Sequence, residues 1–454
     1  MRIHFIAIGG AAMHNLAIAL NQKGYQVTGS DDEIFEPSLG RLEKYGLMPE
    51  EQGWFPEKIT SNIDVILLGM HARKDNPELI RAQELGMKIY SYPEFLYQQT
   101  KNKMRVVIGG SHGKTTITSM IMHVLNFCSL DFDYMVGAQI DGFETMVRLN
   151  STSNIAIFEG DEYLSSPIDP RPKFHWYRPH IGLLTGIAWD HINVFPTFEN
   201  YVNQFRIFAA LMPDDSDLIC YSNDSELAKI ACENSPRLYT QVYNEHPAIV
   251  ENNETLLLVD RQKIKISVFG RHNLQNISGA KLVCNRIGIT DDEFYKAIPS
   301  FKGAARRLEI LAETETATVF RDFAHSPSKL SATTEAVKTQ FPERKLVACM
   351  ELHTFSSLKK DFLPLYCNTM KFADRAIVYF DPRTLEHKRL EPITEEMVKT
   401  AFGQDGLEVF TDSDSLFAEL KKTDWTNKNL LLMSSGTFSG KDLPLFAKKL
   451  ILNL

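Results

Sequence analysis

The chain has 454 residues, enough for about three domains at roughly 150 residues each. Apolar residues make up 44% and charged residues 23%, which excludes general disorder. The net charge of −8 does not suit non-specific nucleic-acid binding, though it leaves room for local basic pockets that take small anions.

No apolar run reaches the roughly 20 residues of a membrane span, so neither a membrane nor nucleic acid is expected as a partner. The six cysteines (Cys128, Cys220, Cys232, Cys284, Cys349 and Cys367) show no CxxC and no close pairing. That usage points to reduced thiols in a cytoplasmic protein, not to a disulfide frame or a zinc site.

In chain order, residues 3–8 are an apolar run interrupted by His4 and ended by Gly9-Gly10. This reads as a strand turning into a helix through Leu16 and Leu20, not as a signal peptide. Strands follow at 25–28, 65–68 and 88–90, and the unit closes at the polar stretch 98–103. A second unit has strands at 105–108, 155–158 and 181–185, acidic loops near 213–215, a hairpin over 256–268 and a helix over 273–287. After a boundary at 301–303, a third unit has strands at 317–321, 345–349, 375–380 and 429–433. Alternating strands and helices predict three α/β domains with parallel sheets. They are a Rossmann-like domain over 1–103, a P-loop ATPase-type domain over 104–303 and a Rossmann-like domain over 304–454.

The sharpest motif is Gly110-Ser111-His112-Gly113-Lys114-Thr115-Thr116, between a strand and a helix. Glycines let backbone N–H groups curl around phosphate oxygens, and the helix N-terminus adds a favourable dipole. Lys114 supplies a point charge and the Thr115 hydroxyl a ligand for Mg²⁺. Position 108 holds Ile instead of the first Gly of GxxxxGK[ST], so the phosphate loop is a shortened one. Phe158-Glu159-Gly160-Asp161-Glu162-Tyr163 ends the next strand, where a carboxylate can hold Mg²⁺ against a nucleotide. Trp189-Asp190-His191 closes the strand region after that.

Asn273 and Asn276 share one face of a helix's first turn, where amides can bond an adenine edge or Asn273 can cap the helix. Arg306-Arg307 stands at the second boundary, and Asp322 and His325 follow the next strand. The turn Gly9-Gly10-Ala11-Ala12-Met13, with Asp31 about twenty residues on, imitates a dinucleotide fingerprint but has Ala at two glycine positions. Residue chemistry alone gives a phosphate loop with candidate Mg²⁺ ligands, and leaves open a nicotinamide-dependent oxidoreductase or a non-catalytic nucleotide-binding module.

Taken in order, these motifs resemble the Mur ligase superfamily over essentially the whole chain. The missing first glycine is itself a feature of that family's loop. The resemblance implies an ATP- and Mg²⁺-dependent ligase whose three domains take a UDP-sugar, ATP and an amine. It implies catalytic roles for Lys114, Glu159, His191 and Arg307, with Thr115, Glu159 and His191 holding Mg²⁺. Gly110, Ser111, His112, Gly113, Lys114, Thr115, Thr116, Asn273, Asn276, Arg307, Asp322 and His325 would meet ATP. Gly9, Gly10, Ala12, Met13, Ser30, Asp31, His71 and Asn76 would face the UDP-sugar, with Asp31, His71 and Asn76 chosen by their place after strands.

Many Mur ligases carry a carbamylated lysine about 15 residues past the Asp-His pair. Here Phe205 and Arg206 stand there, and no Lys occurs between His191 and Lys229. That absence resembles the branch acting on the lactyl carboxylate of UDP-N-acetylmuramate in peptidoglycan metabolism. Within it, the stretches 158–163, 173–179, 190–196 and 433–440 resemble the ligases that add a recycled L-Ala-γ-D-Glu-meso-diaminopimelate tripeptide. Glu351-Leu352-His353-Thr354-Phe355-Ser356-Ser357 fits neither subtype cleanly, and the alternative is addition of L-alanine in de novo synthesis. A monomer or weak homo-oligomer is expected.

Overall fold

The computed structural model describes residues 1–189 and 194–452. The chain forms two compact units, Met1–Asn244 with Asn276–Ile298, and Glu245–Gln275 with Pro299–Leu454.

The first unit opens with β1 (Arg2–Ile6), α1 (Ala11–Gln22), β2 (Gln26–Ser30), α2 (Ser38–Lys44), β3 (Val65–Leu68), α3 (Pro77–Glu84), β4 (Ile89–Ser91) and α4 (Tyr92–Thr100). Its strands form a parallel sheet in the order β2-β1-β3-β4. Every residue of β3 is buried, as expected of a parallel sheet covered on both faces. β1 stops two residues short of the apolar run, because Ala7 adopts φ 68° and the N–H groups of Ala7 and Ile8 both donate to Ser30 O.

There follow β5 (Met104–Gly109), α5 (Lys114–Phe127), β6 (Asp133–Met135), β7 (Val147–Arg148), β8 (Ile155–Glu159), β9 (Leu164–Ser166), β10 (Asp169–Pro172) and α6 (Lys173–Tyr177). Then come β11 (Ile181–Leu184), α7 (Phe198–Ala210), β12 (Asp217–Tyr221), α8 (Ser225–Asn234) and β13 (Tyr239–Tyr243). The seven-stranded sheet runs β13-β12-β11-β5-β8-β6-β7, parallel except for β7. β12 and β13 were absent from the expected elements, and β9 and β10 form a separate antiparallel hairpin.

The expected hairpin is a three-stranded antiparallel sheet of β14 (Ala248–Glu251), β15 (Glu254–Val259) and β16 (Gln262–Ile266), followed by α9 (Arg271–Ile287) and α10 (Asp291–Ala297). Next come β17 (Glu309–Glu313), β18 (Ala317–Asp322), α11 (Pro327–Gln340), β19 (Lys345–Glu351), β20 (Arg375–Tyr379), α12 (Pro382–His387), α13 (Glu395–Phe402), β21 (Glu408–Phe410), α14 (Ser413–Lys422), β22 (Lys428–Met433) and α15 (Leu443–Ile451). The six-stranded sheet runs β17-β18-β22-β19-β20-β21, with only β17 antiparallel. Within the second unit the small sheet is tied to α11, where Thr255 Oγ1 donates to Gln340 Oε1 at 2.8 Å and Gln340 Nε2 donates to Asn253 O at 2.6 Å.

Among the described residues no helix is long and apolar enough to cross a membrane. All six cysteines are free: Cys220, Cys284 and Cys349 are buried, Cys128 is half-buried, and Cys232 and Cys367 are exposed. Burial pushes the Cys220 thiol up to about 12 and raises Cys284 and Cys349 further.

Candidate active site

β5 lies between β11 and β8, so the segments leaving the C-terminal ends of these three strands meet at one sheet edge. The first is the phosphate loop, with Gly110 at φ 118° and Gly113 at φ 76° as the N-cap of α5. A Cβ at Gly110 would strike Thr185 Oγ1, and one at Gly113 would strike Asn276 Oδ1. Close approach and left-handed backbone together require glycine at both positions. Ser111 faces inward: its N–H donates to Gly186 O at 2.9 Å and its hydroxyl donates to Ala188 O at 2.7 Å while accepting from Ala188 N–H at 2.8 Å. Ser111 is thus an anchor of the loop. Thr185 Oγ1 donates to His112 O, and Asp224 Oδ2 accepts from Ile187 N–H at 2.6 Å, so the adjoining segment is fixed as well.

Lys114 opens α5 and sends its Nζ to Gly110 O at 2.7 Å and to Glu162 Oε2 at 2.8 Å. Burial works against its charge, but Glu162, Asp161 and Glu159 outweigh it and hold the ammonium above its ordinary pKa. Glu162 is buried, and its Oε1 accepts from Tyr201 OH at 2.8 Å. Desolvation pushes Asp161 up, but Lys173, at 2.6 Å, and Lys114 outweigh it and hold the carboxyl at about 2. Thr115 and Thr116 are buried in the first turn of α5. Glu159 ends β8, where its Oε1 accepts from Thr115 Oγ1 at 2.9 Å and its Oε2 from Gly137 N–H at 2.7 Å. A hydroxyl and a carboxylate adjacent to a phosphate loop are the hard oxygen donors that Mg²⁺ takes alongside phosphates. Among the described residues no group of three or more His, Cys, Asp and Glu side chains could hold a metal by itself. Asp190 and His191 lie outside the described residues.

On the first sheet, Gly9 and Gly10 lead into α1, with Ala12 half-buried and Met13 buried in its first turn. Asp31 follows β2 and turns back onto the glycines: its Oδ2 accepts from Gly9 N–H at 2.7 Å and its Oδ1 from Asp32 N–H at 3.0 Å. Desolvation pushes its carboxyl up to about 6 against those two bonds. Ser30 is buried at the end of β2, and the exposed His71 lies 3.5 Å from where a Gly10 Cβ would stand. Asn76 is buried and caps α3, its Oδ1 accepting from the N–H groups of Glu78 and Leu79.

Asn276 is buried against Gly113, beside the phosphate loop. Asn273 is no N-cap, since α9 starts at Arg271 and the Asn273 amide donates to Phe269 O at 2.8 Å. In the second unit, Arg307 lies 5.1 Å over the Phe323 ring. The buried Asp322 accepts from Leu308 N–H and Ala324 N–H, each at 2.7 Å. Desolvation raises the Asp322 carboxyl despite those bonds and Arg307. His325 Nδ1 lies 2.9 Å from Phe323 O. Burial first and Arg307 second depress His272 to about 4, leaving it neutral at physiological pH.

Sequence reasoning singled out the stretches holding Glu162 and Lys173 but gave those residues no role, and it missed Tyr201 and Asp224. Where many Mur ligases carry lysine, Phe205 is buried in the core and Arg206 pairs with Glu199 at 2.7 Å.

Three family models cover most of the chain: "Mur ligase family, catalytic domain" over 2–104, "Mur ligase middle domain" over 108–284 and "Mur ligase, glutamate ligase domain" over 306–436. The chain is 31% identical over 382 residues to a UDP-N-acetylmuramate–L-alanine ligase of Clostridium kluyveri, covering 81% of each. Among solved structures, it resembles UDP-N-acetylmuramate-alanine ligase MurC of Thermotoga maritima at 20% identity and TM-score 0.71, covering 100% of this chain and 99% of that one. It also resembles the UDP-N-acetylmuramate:L-alanyl-gamma-D-glutamyl-meso-diaminopimelate ligase of Neisseria meningitides at 25% identity and TM-score 0.60, covering 67% of this chain and 99% of that one. These likenesses displace the oxidoreductase and non-catalytic readings. With the three-domain α/β architecture and a phosphate loop at the edge of its central sheet, the chain belongs to the Mur ligase family and is an ATP-dependent acid–amino acid ligase.

Proposed function

We propose that this ligase joins the lactyl carboxylate of UDP-N-acetylmuramate to an amine, with residues 1–103, 104–303 and 304–454 serving the UDP-sugar, ATP and amine. The observation that carries the site is the convergence of Lys114, Thr115 and Glu159 at the N-terminus of α5. The γ-phosphoryl group of ATP passes to a carboxylate oxygen and ADP leaves. The amine nitrogen attacks the acyl phosphate carbon, loses a proton, and the tetrahedral intermediate expels phosphate. Lys114 and the α5 N-terminus offset charge on the transferred group. Thr115 and Glu159, with His191, would hold Mg²⁺, which when bound supplies Lewis-acid stabilisation of that same charge. Asn276, whose amide lies against Gly113, is assigned to the purine on the family resemblance. Asn273, Arg307, Asp322 and His325 are assigned to the nucleotide on the family resemblance, and Gly9, Gly10 and Asp31 to the UDP-sugar.

For the amine, the named relative at 31% identity favours L-alanine over the tripeptide expected from the sequence. The tripeptide is the second reading, supported by the 25% likeness to the Neisseria ligase. The Lys173–Tyr177 helix, whose Lys173 reaches Asp161 beside the phosphate loop, lies in a stretch read above as recycling-type. The test is ADP release with Mg-ATP and UDP-N-acetylmuramate, offering L-alanine or L-Ala-γ-D-Glu-meso-diaminopimelate. Turnover with alanine alone establishes the first reading and turnover with the tripeptide alone the second. Release with neither overturns both.

A further inference from the structure

The carboxylate of Glu159 is held on its far side by the backbone of Gly137, which begins a segment between β6 and β7. That segment is gripped from the first sheet's helices. Arg41 of α2 donates from Nη2 to Gln139 Oε1 at 2.7 Å and from Nη1 to Asn15 Oδ1 at 3.4 Å. The buried Asn15 of α1 accepts from Met146 N–H at 2.9 Å and donates to Ala11 O at 2.8 Å in the first turn of its own helix. Gln139 in turn donates across the segment to Phe143 O. At its outer end, Glu144 accepts from Lys44 Nζ and Tyr45 OH, each at 2.6 Å. Hydrogen bonds therefore run from the N-terminus of α1 through Asn15 and Arg41 to Gln139, and two residues back along the same backbone the Gly137 N–H reaches Glu159.

We propose that Arg41 and Gln139 are positioning residues for Glu159: the α1–α2 pair fixes the 137–146 segment, and Gly137 N–H then aims the carboxylate at Thr115. This rests on the reading of Glu159 as an Mg²⁺ ligand. A carboxylate anchored through one oxygen keeps the other directed, and groups that orient a ligand in this way set metal affinity.

The test is calorimetric ADP binding over a series of Mg²⁺ concentrations, which needs no turnover. Arg41→Ala and Gln139→Ala should each raise the Mg²⁺ needed for half-maximal tightening of ADP by about tenfold. Metal-free ADP affinity should be unchanged. The double variant should show no further loss. A wild-type Mg²⁺ requirement in both single variants overturns the proposal, and Gln139→Ala decides alone if Arg41→Ala fails to fold. Glu159→Ala separates the two levels. If it too leaves the Mg²⁺ requirement unchanged, the ligand reading fails; if it raises the requirement while Arg41→Ala and Gln139→Ala do not, only the positioning role fails.

Discussion

Glu162 accepts from Lys114 Nζ at 2.8 Å on one carboxylate oxygen and from the Tyr201 hydroxyl at 2.8 Å on the other. The pair is buried on the acid side and nearly so on the base side, with side-chain exposures of 1% and 16%. Lys114 is thus both the cation of the phosphate loop and the counter-charge of a carboxylate that water does not reach. Removing one partner of such a pair strands the other. Lys114→Ala should therefore abolish ligation and also lower unfolding free energy by about 3 kcal/mol. Lys114→Ala with Glu162→Gln should regain most of that stability and none of the activity. Urea unfolding and ADP release, run on both variants, separate the two roles; full activity in Lys114→Ala would remove the loop from the site.

Gly137 offers a sharper probe of the carboxylate. A Cβ there would stand 2.9 Å from Glu159 Oε1 and 3.0 Å from Oε2. Gly137→Ala should displace the carboxylate and cut turnover at limiting Mg²⁺ by about tenfold. Because the backbone sits outside the left-handed region, the melting temperature should barely change. Saturating Mg²⁺ should restore part of the rate.

Gly113→Ala tests the loop itself. At φ 76° a side chain costs about 1–2 kcal/mol, and its Cβ would collide with the Asn276 amide. Lower stability and weaker ADP binding should appear together. Unchanged ADP affinity would show that Asn276 and the loop backbone do not meet the nucleotide.

Asp31 sets a pH dependence. Its carboxyl moves from 3.8 to about 6 on folding, so between those values the folded chain keeps a proton that the unfolded chain has released. Stability therefore falls as pH rises through that window, by up to about 3 kcal/mol once Asp31 is fully ionised. Asp31→Asn keeps an acceptor for Gly9 N–H and removes the charge. Denaturation at stepped pH should show the variant gaining on wild type from about pH 4 to 6 and keeping that advantage above it. Parallel curves would sink the assignment.

The fold was legible where strands are continuous apolar runs with glycine turns: β1, β3, β5, β8, β11, β18, β19, β20 and β22 lie where expected. β12, whose Asp217–Tyr221 run follows an acidic turn, the short β6 and β7, and the largely exposed β13 carry too weak a pattern to stand out. The phosphate loop was legible because its chemistry is local. Lys114 with Glu162, 48 residues apart, and Arg41 with Gln139, 98 residues apart, were not. Those pairings depend on which strands lie side by side, and periodicity along the chain holds no record of that. The backbone bonds of Ser111 and Asn76 were hidden for the same reason, since a polar side chain beside a ligand turn looks identical in sequence whether it faces the ligand or the backbone behind it.

The buried thiols have a practical corollary. Cys220, Cys284 and Cys349 are shielded and hold their protons, so a maleimide reagent at neutral pH should react first at Cys232 and Cys367. Cys232 belongs to the first compact unit and Cys367 to the second. The native chain therefore already carries a handle for one dye on each unit, without an engineered cysteine.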